Sequence, residues 1–162
     1  MSETLTFRAA TAADLPAIVA LIADDGLGRG REKPGLPLDQ RYTAAFEAVE
    51  RDPNQLLAVA ERAGVVVGTL QLTFIPGVSR LGAWRGQIEA VRIAASERGS
   101  GLGQQMMQWA ITECRARGCS LVQLTSDKSR DGAHRFYERL GFVASHEGFK
   151  REIDLSSPET AG

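Results

Sequence analysis

Residues Ile88 to Gly103 read Ile-Glu-Ala-Val-Arg-Ile-Ala-Ala-Ser-Glu-Arg-Gly-Ser-Gly-Leu-Gly. An apolar strand passes through a short loop into glycines 99, 101 and 103, then into a helix expected from about Gly101 to Arg117. Glycine has no Cβ, so the backbone here can bend sharply and come close to a ligand. The first turn of the helix offers N–H groups with no helical acceptor and the positive end of the helix dipole. Together these features make a cradle for an anion, and pyrophosphate is the usual occupant of such a turn. The spacing narrows the choice. A dinucleotide-binding turn wants G-x-G-x-x-G and a Walker loop ends in Gly-Lys-Ser/Thr. This chain has G-x-G-x-G with Arg98 in front, and neither of those patterns.

The sequence around this stretch has the balance of an ordinary globular protein. Its 162 residues are long enough for one domain with a real core, expected over 5–155 with a frayed tail over 156–162. Nineteen basic and 20 acidic side chains give a formal charge of −1, which supplies no general attraction to nucleic acid or to acidic membranes. Cys114 and Cys119 have no metal-ligand partners at metal-site spacing, and two cysteines make no disulfide framework. No signal peptide is recognised and no apolar run is long enough to span a bilayer, so a cytoplasmic location is expected.

Upstream, Leu5–Ala9 alternates as a first strand, and Thr11 with Asp14 forms a capping box for a helix that buries Leu15, Ile18, Leu21 and Ile22. Gly26 to Pro37 holds three glycines before Pro34, then Gly35 and Pro37, so it is an irregular loop. Asp39 can cap a second helix carrying Tyr42, Phe46 and Val49 inward. Leu56–Glu61 and Val65–Phe74 flank the turn Arg62-Ala63-Gly64 and read as a hairpin, with Gly68 marking a bulge or a close approach. A loop flanked by Gly82 and Gly86 holds Trp84 and precedes a central strand, Gln87–Ala94. Downstream, Leu102, Met106, Ala110 and Cys114 recur every four residues on the helix that Gly118 ends. Leu121–Thr125 is the next strand, Asp131 can cap a short helix ending at Gly141, and Phe142–Ala144 and Phe149–Leu155 are expected as closing strands. The sum is an α/β layered domain.

The run Arg98-x-x-Gly101-x-Gly103 after a strand resembles the coenzyme A pyrophosphate loop of the GCN5-related N-acetyltransferases. A second stretch, Ala133-His-Arg-Phe-Tyr137-Glu-Arg-Leu-Gly141-Phe142, is similar to the segment that closes the acetyl-CoA site in that family. The resemblance covers residues 5 to 155 and implies a mixed, mostly antiparallel central sheet flanked by helices and splayed at its central strand. It implies acetyl-CoA as donor, held by Val91, Arg92 and Ile93 along the acetyl-pantetheine arm and by Arg98, Gly99, Ser100, Gly101, Leu102, Gly103 and Gln104 at the phosphates, with Asp127 and Tyr137 completing the set. Asn is common in the family where this chain has Asp127 and Arg130, so side-chain contacts from that loop depart from the pattern.

Acetyl transfer to an amine needs a base for the ammonium, polarisation of the thioester carbonyl and a proton for the departing thiolate. The resemblance assigns the proton donor to Tyr137; read from the residues alone, Tyr137 is a core tyrosine beside Phe136 and Leu140. Glu89 is the candidate base, directly or through water; the alternative is a solvated or ion-paired strand residue. Strict alternation puts Glu89, Val91 and Ile93 on one face and Ile88, Ala90 and Arg92 on the other. His134 could be a second base, and no metal site is expected. The acceptor is expected to be a primary amine on a small molecule, and a homodimer is a possible state. The ending of the chain is similar to those of aminoalkylphosphonate N-acetyltransferases. Asp24 and Asp25 at the entry of the loop suit an ammonium, and Arg29, Arg31 and Lys33 along it suit an anion. Three other readings stand beside this one: acetylation of a protein or peptide amine, a coenzyme A-binding regulatory module without catalysis, and a nucleotide-binding module.

Overall fold

A computed structural model of the chain describes residues 4–26 and 28–156. Of the expected tail, residues 157–162 lie outside the described residues, as does Leu27. The chain forms two compact units, one ending at Leu124 and one beginning at Thr125.

In the first unit, strands β1 (Leu5–Ala9), β2 (Gln55–Arg62), β3 (Val65–Ile75), β4 (Trp84–Ile93) and β5 (Cys119–Leu124) lie side by side in sequence order. The first three pairings are antiparallel, and β4 runs parallel to β5. A parallel pair needs a crossover, which helix α4 (Leu102–Ala116) supplies. Helices α1 (Leu15–Ala23) and α2 (Gln40–Arg51) follow β1, and a single turn, α3 (Ser79–Gly82), precedes β4. Among the described residues no helix is long and apolar enough to cross a membrane.

Successive side chains of β1 point to opposite faces, and this separates the helices. Phe7 stacks on Trp109 of α4 with centroids 5.7 Å apart. Arg8 turns the other way and forks onto Asp14 at 2.7 and 3.0 Å, beside α1. Thus α1 and α4 cover opposite faces. The α4 face holds Leu70, Leu72, Phe74 and Ile88 against Leu102, Met106 and Ala110, all buried. Arg117, just past α4, lays its guanidinium 4.4 Å above the Phe74 ring.

Local chemistry sets the ends of the elements. The Thr11 N–H donates to Asp14 Oδ2 at 2.7 Å, as the capping box requires, and the Asp39 carboxylate accepts the Arg41 N–H at 3.0 Å to cap α2. Arg8 and this cap hold the Asp14 carboxyl down at about 2, well below its ordinary value. The β2–β3 hairpin turns through Ala63 at φ 50° and Gly64 at φ 78°. Gly68 is a close approach: a Cβ there would lie 3.2 Å from Ile93 Cδ1 and from Met106 Sδ.

Two expectations are corrected in this unit. β4 begins at Trp84, so Gly86 belongs to the strand and not to the loop before it. It is glycine because a Cβ would run into Cys114 Sγ on α4. Strict alternation along β4 also fails. Gln71 opposes Glu89 and Thr69 opposes Arg92, so Ala90 and Val91 together face Leu70 in a bulge, with Ala90 left-handed at φ 52°. The bulge reverses the phase of the strand. Ile93 joins Ile88 on the α4 face, and Arg92 joins Glu89 on the α1 face.

The second unit contains helix α5 (Asp131–Arg139). Asp131 is its first residue and Arg130 its cap, one position earlier than expected. Gly141 is the expected left-handed terminator at φ 89°, and the Phe142 N–H reaches back to the Tyr137 carbonyl at 3.1 Å. Neither expected closing strand forms: Phe142–Ala144 and Phe149–Leu155 carry no regular element. Phe149, Ile153 and Leu155 are at least three-quarters exposed, at 91, 77 and 94%. A strand needs a neighbour for its N–H and C=O groups, and this unit offers no second strand among the described residues.

Candidate active site

The site is built around the second half of β4. Up to Ile88 this strand has β3 on one side and β5 on the other; from Glu89 to Ile93 only β3 remains beside it among the described residues. The Ala90 bulge sits where the two strands part, which is the splay expected of the central strand. Beyond it, the backbone groups of β4 that face away from β3 have no strand beside them among the described residues, the arrangement that can bind an extended amide-bearing chain by main-chain hydrogen bonds.

The strand then enters the glycine turn. A short 3₁₀ turn, Ala95–Glu97, is pinned by Arg62 Nε, 3.0 Å from Glu97 Oε1. Ser100 Oγ donates to the Glu97 carbonyl at 2.7 Å and accepts the Leu102 N–H at 3.3 Å, which closes the loop on itself. Gly99 and Gly101 stand at φ 79° and 84°, so glycine is required by conformation; a Cβ at either would meet nothing within 4 Å. The space in front of them is therefore open to a ligand. Leu102 is fully buried and anchors the helix start. Gly103 and Gln104 follow it in the first turn, where an α-helix has no acceptor for their N–H groups. With exposed Arg98 alongside, this loop can hold a diphosphate by N–H groups, helix dipole and one cation.

Glu89 is exposed on the α1 face, directly opposite Gln71 and at the edge of the bulge. Arg92, on the same face, is committed elsewhere. Its Nη2 lies 2.9 Å from Asp25 Oδ2 and its Nη1 donates to the Val91 carbonyl at 2.8 Å, so it ties β4 to the loop after α1. The two loop arginines also have acidic neighbours. Arg29 is 3.9 Å from Asp24, and Arg31 Nε is 2.9 Å from Glu32. The Tyr42 hydroxyl donates to Glu32 at 2.7 Å and accepts the Lys33 N–H at 2.9 Å. These bonds, that of Tyr42 first, hold the Glu32 carboxyl below its ordinary value.

Tyr137 belongs to the second unit. It packs edge-to-face on Phe136 and Phe142, with centroids 5.3 and 6.0 Å away. Asp127 accepts the Ser129 N–H at 2.9 Å and the Ser129 hydroxyl at 2.6 Å, and these bonds lower its pKa. Its carboxylate thus shapes the loop before α5. His134 Nε2 lies 2.9 Å from the Asp127 carbonyl, tying that loop to the helix. The two thiols are poor nucleophiles: burial pushes Cys114 up to about 11 and raises Cys119 as well.

One group escaped the sequence reading. Gln55, Thr73, Gln87 and Gln123 lie in register across four strands, on the face that carries Glu89. The polar residues at alternate strand positions were the available signal, but only the pairing register shows that they form one row.

Comparison with known proteins agrees with this geometry. The acetyltransferase (GNAT) family model matches residues 23–142. The aminoalkylphosphonate N-acetyltransferase of Salmonella typhimurium is 33% identical over 114 residues, covering 70% of this chain and 73% of that protein. The L-methionine sulfoximine/L-methionine sulfone acetyltransferase of Pseudomonas paraeruginosa is 30% identical, covering 93% of this chain and 91% of that one. A solved structure described as a transcriptional regulator from Bacillus halodurans superposes with a TM-score of 0.90 at 47% identity, covering 93% of this chain and 100% of that one. A strand that splays at a bulge, runs into a glycine turn and opens a helix thus lies inside a stretch that the family model spans on both sides: the chain belongs to the acetyltransferase (GNAT) family.

Proposed function

We propose that residues 5–155 act as one N-acetyltransferase domain, located in the cytoplasm, that moves an acetyl group from acetyl-CoA to a primary amine on a small molecule by direct attack in a ternary complex. The observation that carries this reading is the continuity of the open β4 edge with the Gly99–Gly103 turn. The first suits the amides of a pantetheine arm and the second its diphosphate. The raised thiols support direct attack, because no cysteine is activated to carry the acetyl group.

In this reading Val91, Arg92 and Ile93 bind the arm through their backbone, and the Val91 N–H polarises the thioester carbonyl. Glu89 takes a proton from the acceptor ammonium, directly or through water. The amine nitrogen then forms a bond to the acetyl carbon, the carbon–sulfur bond breaks, Tyr137 donates its phenolic proton to the departing sulfur, and the proton still carried by the nitrogen leaves through water to restore the Tyr137 phenol. Arg98, Ser100, Gly101, Leu102, Gly103 and Gln104 hold the phosphates, and Asp127 borders the site. The carry-over of the relatives' acceptors supports a small polar amine.

The test is calorimetric titration with acetyl-CoA, followed by an amine screen that reads thiol release. Saturable binding and turnover with at least one amine are expected. A folded protein that does not bind acetyl-CoA would refute the reading. Binding without turnover on any small amine or peptide would favour a regulatory module, a possibility that draws support from the Bacillus halodurans neighbour's description.

A further inference from the structure

We infer that the α1 face of the sheet carries an acceptor subsite, built by an amide-lined row, that selects amines bearing neutral hydroxyl or amide groups; the inference rests on the acetyltransferase reading above. Gln55 opposes Thr73, Thr73 opposes Gln87, and Gln87 opposes Gln123, so one cross-strand row runs from β2 to β5. The next row holds Gln71 opposite Glu89. Residues in register point to the same face, and directly opposed Cβ atoms stand about 4.5–5.5 Å apart. That the face is the α1 face follows from Thr69, in phase with Gln71 and Thr73 and in register with Arg92, whose guanidinium meets Asp25.

The row is pre-ordered by its own bonds. Gln55 Oε1 accepts from Gln71 Nε2 at 2.9 Å and from Thr73 Oγ1 at 3.0 Å. Gln87 Oε1 accepts from Gln123 Nε2 at 2.7 Å. An amide joined through one end keeps the other for a ligand. Gln55 and Gln87 keep NH₂ donors, and Gln71 and Gln123 keep carbonyl acceptors. All four are half-buried, so they are neither lost in the core nor free to sweep through solvent.

The chemistry of the row states what it reads. Alternating donors and acceptors suit hydroxyls, which do both, and amides, which present one of each. Glu89 at its upper edge suits the ammonium. An anion must compete with carboxylates for the arginines near this face. Arg92 is 2.9 Å from Asp25, Arg31 is 2.9 Å from Glu32, and Arg29 is 3.9 Å from Asp24. Arg85 shares the face but stands four residues from Glu89, about 13 Å along a strand at ~3.3 Å per residue.

The experiment compares four small amines with the intact protein: 3-amino-1,2-propanediol, glycinamide, 2-aminoethylphosphonate and n-butylamine. Steady-state thiol release is read for the parent, for Gln87→Leu/Gln123→Leu and for Gln123→Ala, the last a milder change on the edge strand. The hydroxyl and amide substrates should lead in the parent. Loss of two hydrogen bonds should raise their KM by about ten-fold in the double variant, and by less in Gln123→Ala. n-Butylamine kcat/KM and acetyl-CoA affinity should stay within about two-fold, since neither depends on the row. An unchanged KM for the diol and glycinamide in a folded Gln123→Ala or double variant would overturn the inference. So would 2-aminoethylphosphonate as the leading acceptor. Failure of the parent to bind acetyl-CoA would overturn the underlying reading, and this inference with it.

Discussion

Ala90 is the residue on which the open edge of β4 turns, and changing it separates backbone conformation from chemistry. Its φ of 52° is left-handed. An L-residue gives up about 1–2 kcal/mol in that conformation, whereas glycine adopts it freely. Ala90→Gly should therefore stabilise the protein by about 0.5–1 kcal/mol, once the greater freedom of glycine in the unfolded chain is subtracted. For a chain of this size that is a rise in Tm of about 1–4 °C. Acetyl-CoA affinity should be unchanged, because the bulge is kept. Ala90→Val works in the opposite direction. A β-branched residue at positive φ adds roughly 1–3 kcal/mol of strain, which lowers Tm by several degrees or drives β4 to straighten. Straightening would shift residues 91–93 to the opposite faces, withdrawing Ile93 from Gly68 and Met106 and Arg92 from Asp25. The backbone groups along the open edge would be displaced too. Affinity for acetyl-CoA should fall by about ten-fold or more, the equivalent of one lost hydrogen bond. Thermal melts and titration calorimetry on both variants make the test. If Ala90→Val melts and binds like the parent, the bulge is not what shapes this edge.

Three further outcomes are expected. Tyr137→Phe keeps the ring contacts with Phe136 and Phe142 and removes the phenolic proton; kcat should fall by at least ~10-fold with acetyl-CoA affinity unchanged, and an unaltered chemical step would return Tyr137 to packing alone. Asp14 carries a carboxyl held at about 2 against an ordinary 3.8, so its ionised form stabilises the fold by about 2 kcal/mol above pH ~4, and this is lost as pH falls through the window toward 2. Urea unfolding should show Asp14→Asn less stable than the parent at neutral pH, with the gap narrowing by more than half near the bottom of that window. Gly86→Ala drives a methyl into Cys114 Sγ and should cost about 1–3 kcal/mol, with recovery in Gly86→Ala/Cys114→Ala; a double variant no more stable than the single one would show that the contact is not the cause.

Much of this was legible because it rests on local chemistry. The Thr11–Asp14 box, the Asp39 cap, the Ala63-Gly64 turn and the Gly141 terminator each involve residues a few positions apart. The four-residue repeat of Leu102, Met106, Ala110 and Cys114 gave the buried face of α4. The glycine turn was legible for the same reason. What failed were inferences that depend on a partner strand. Phe149–Leu155 has strand-forming residues but no strand beside it in its own unit. The faces of β4 were misassigned because alternation assumes an unbroken ladder, and nothing in Glu-Ala-Val-Arg marks a bulge between Glu89 and Arg92. The pairing of Arg92 with Asp25 was not legible either, because it joins β4 to a loop more than sixty residues away. The glutamine row is invisible for a similar reason: its members are scattered from residue 55 to 123 and meet only through register.

The parting of β4 from β5 also has a dynamic meaning. Through Ile88 every amide of β4 has a strand to face, on one side or the other. From Glu89 to Ile93 only the amides turned toward β3 do. Amide hydrogen exchange should therefore divide a single strand in two, uniformly slow in its first half and alternating slow and fast in its second. The fast positions would form a built-in reporter. Whatever lies along that edge must slow those amides first, so the order in which they become protected would trace a bound molecule along the strand, independently of any reaction it undergoes.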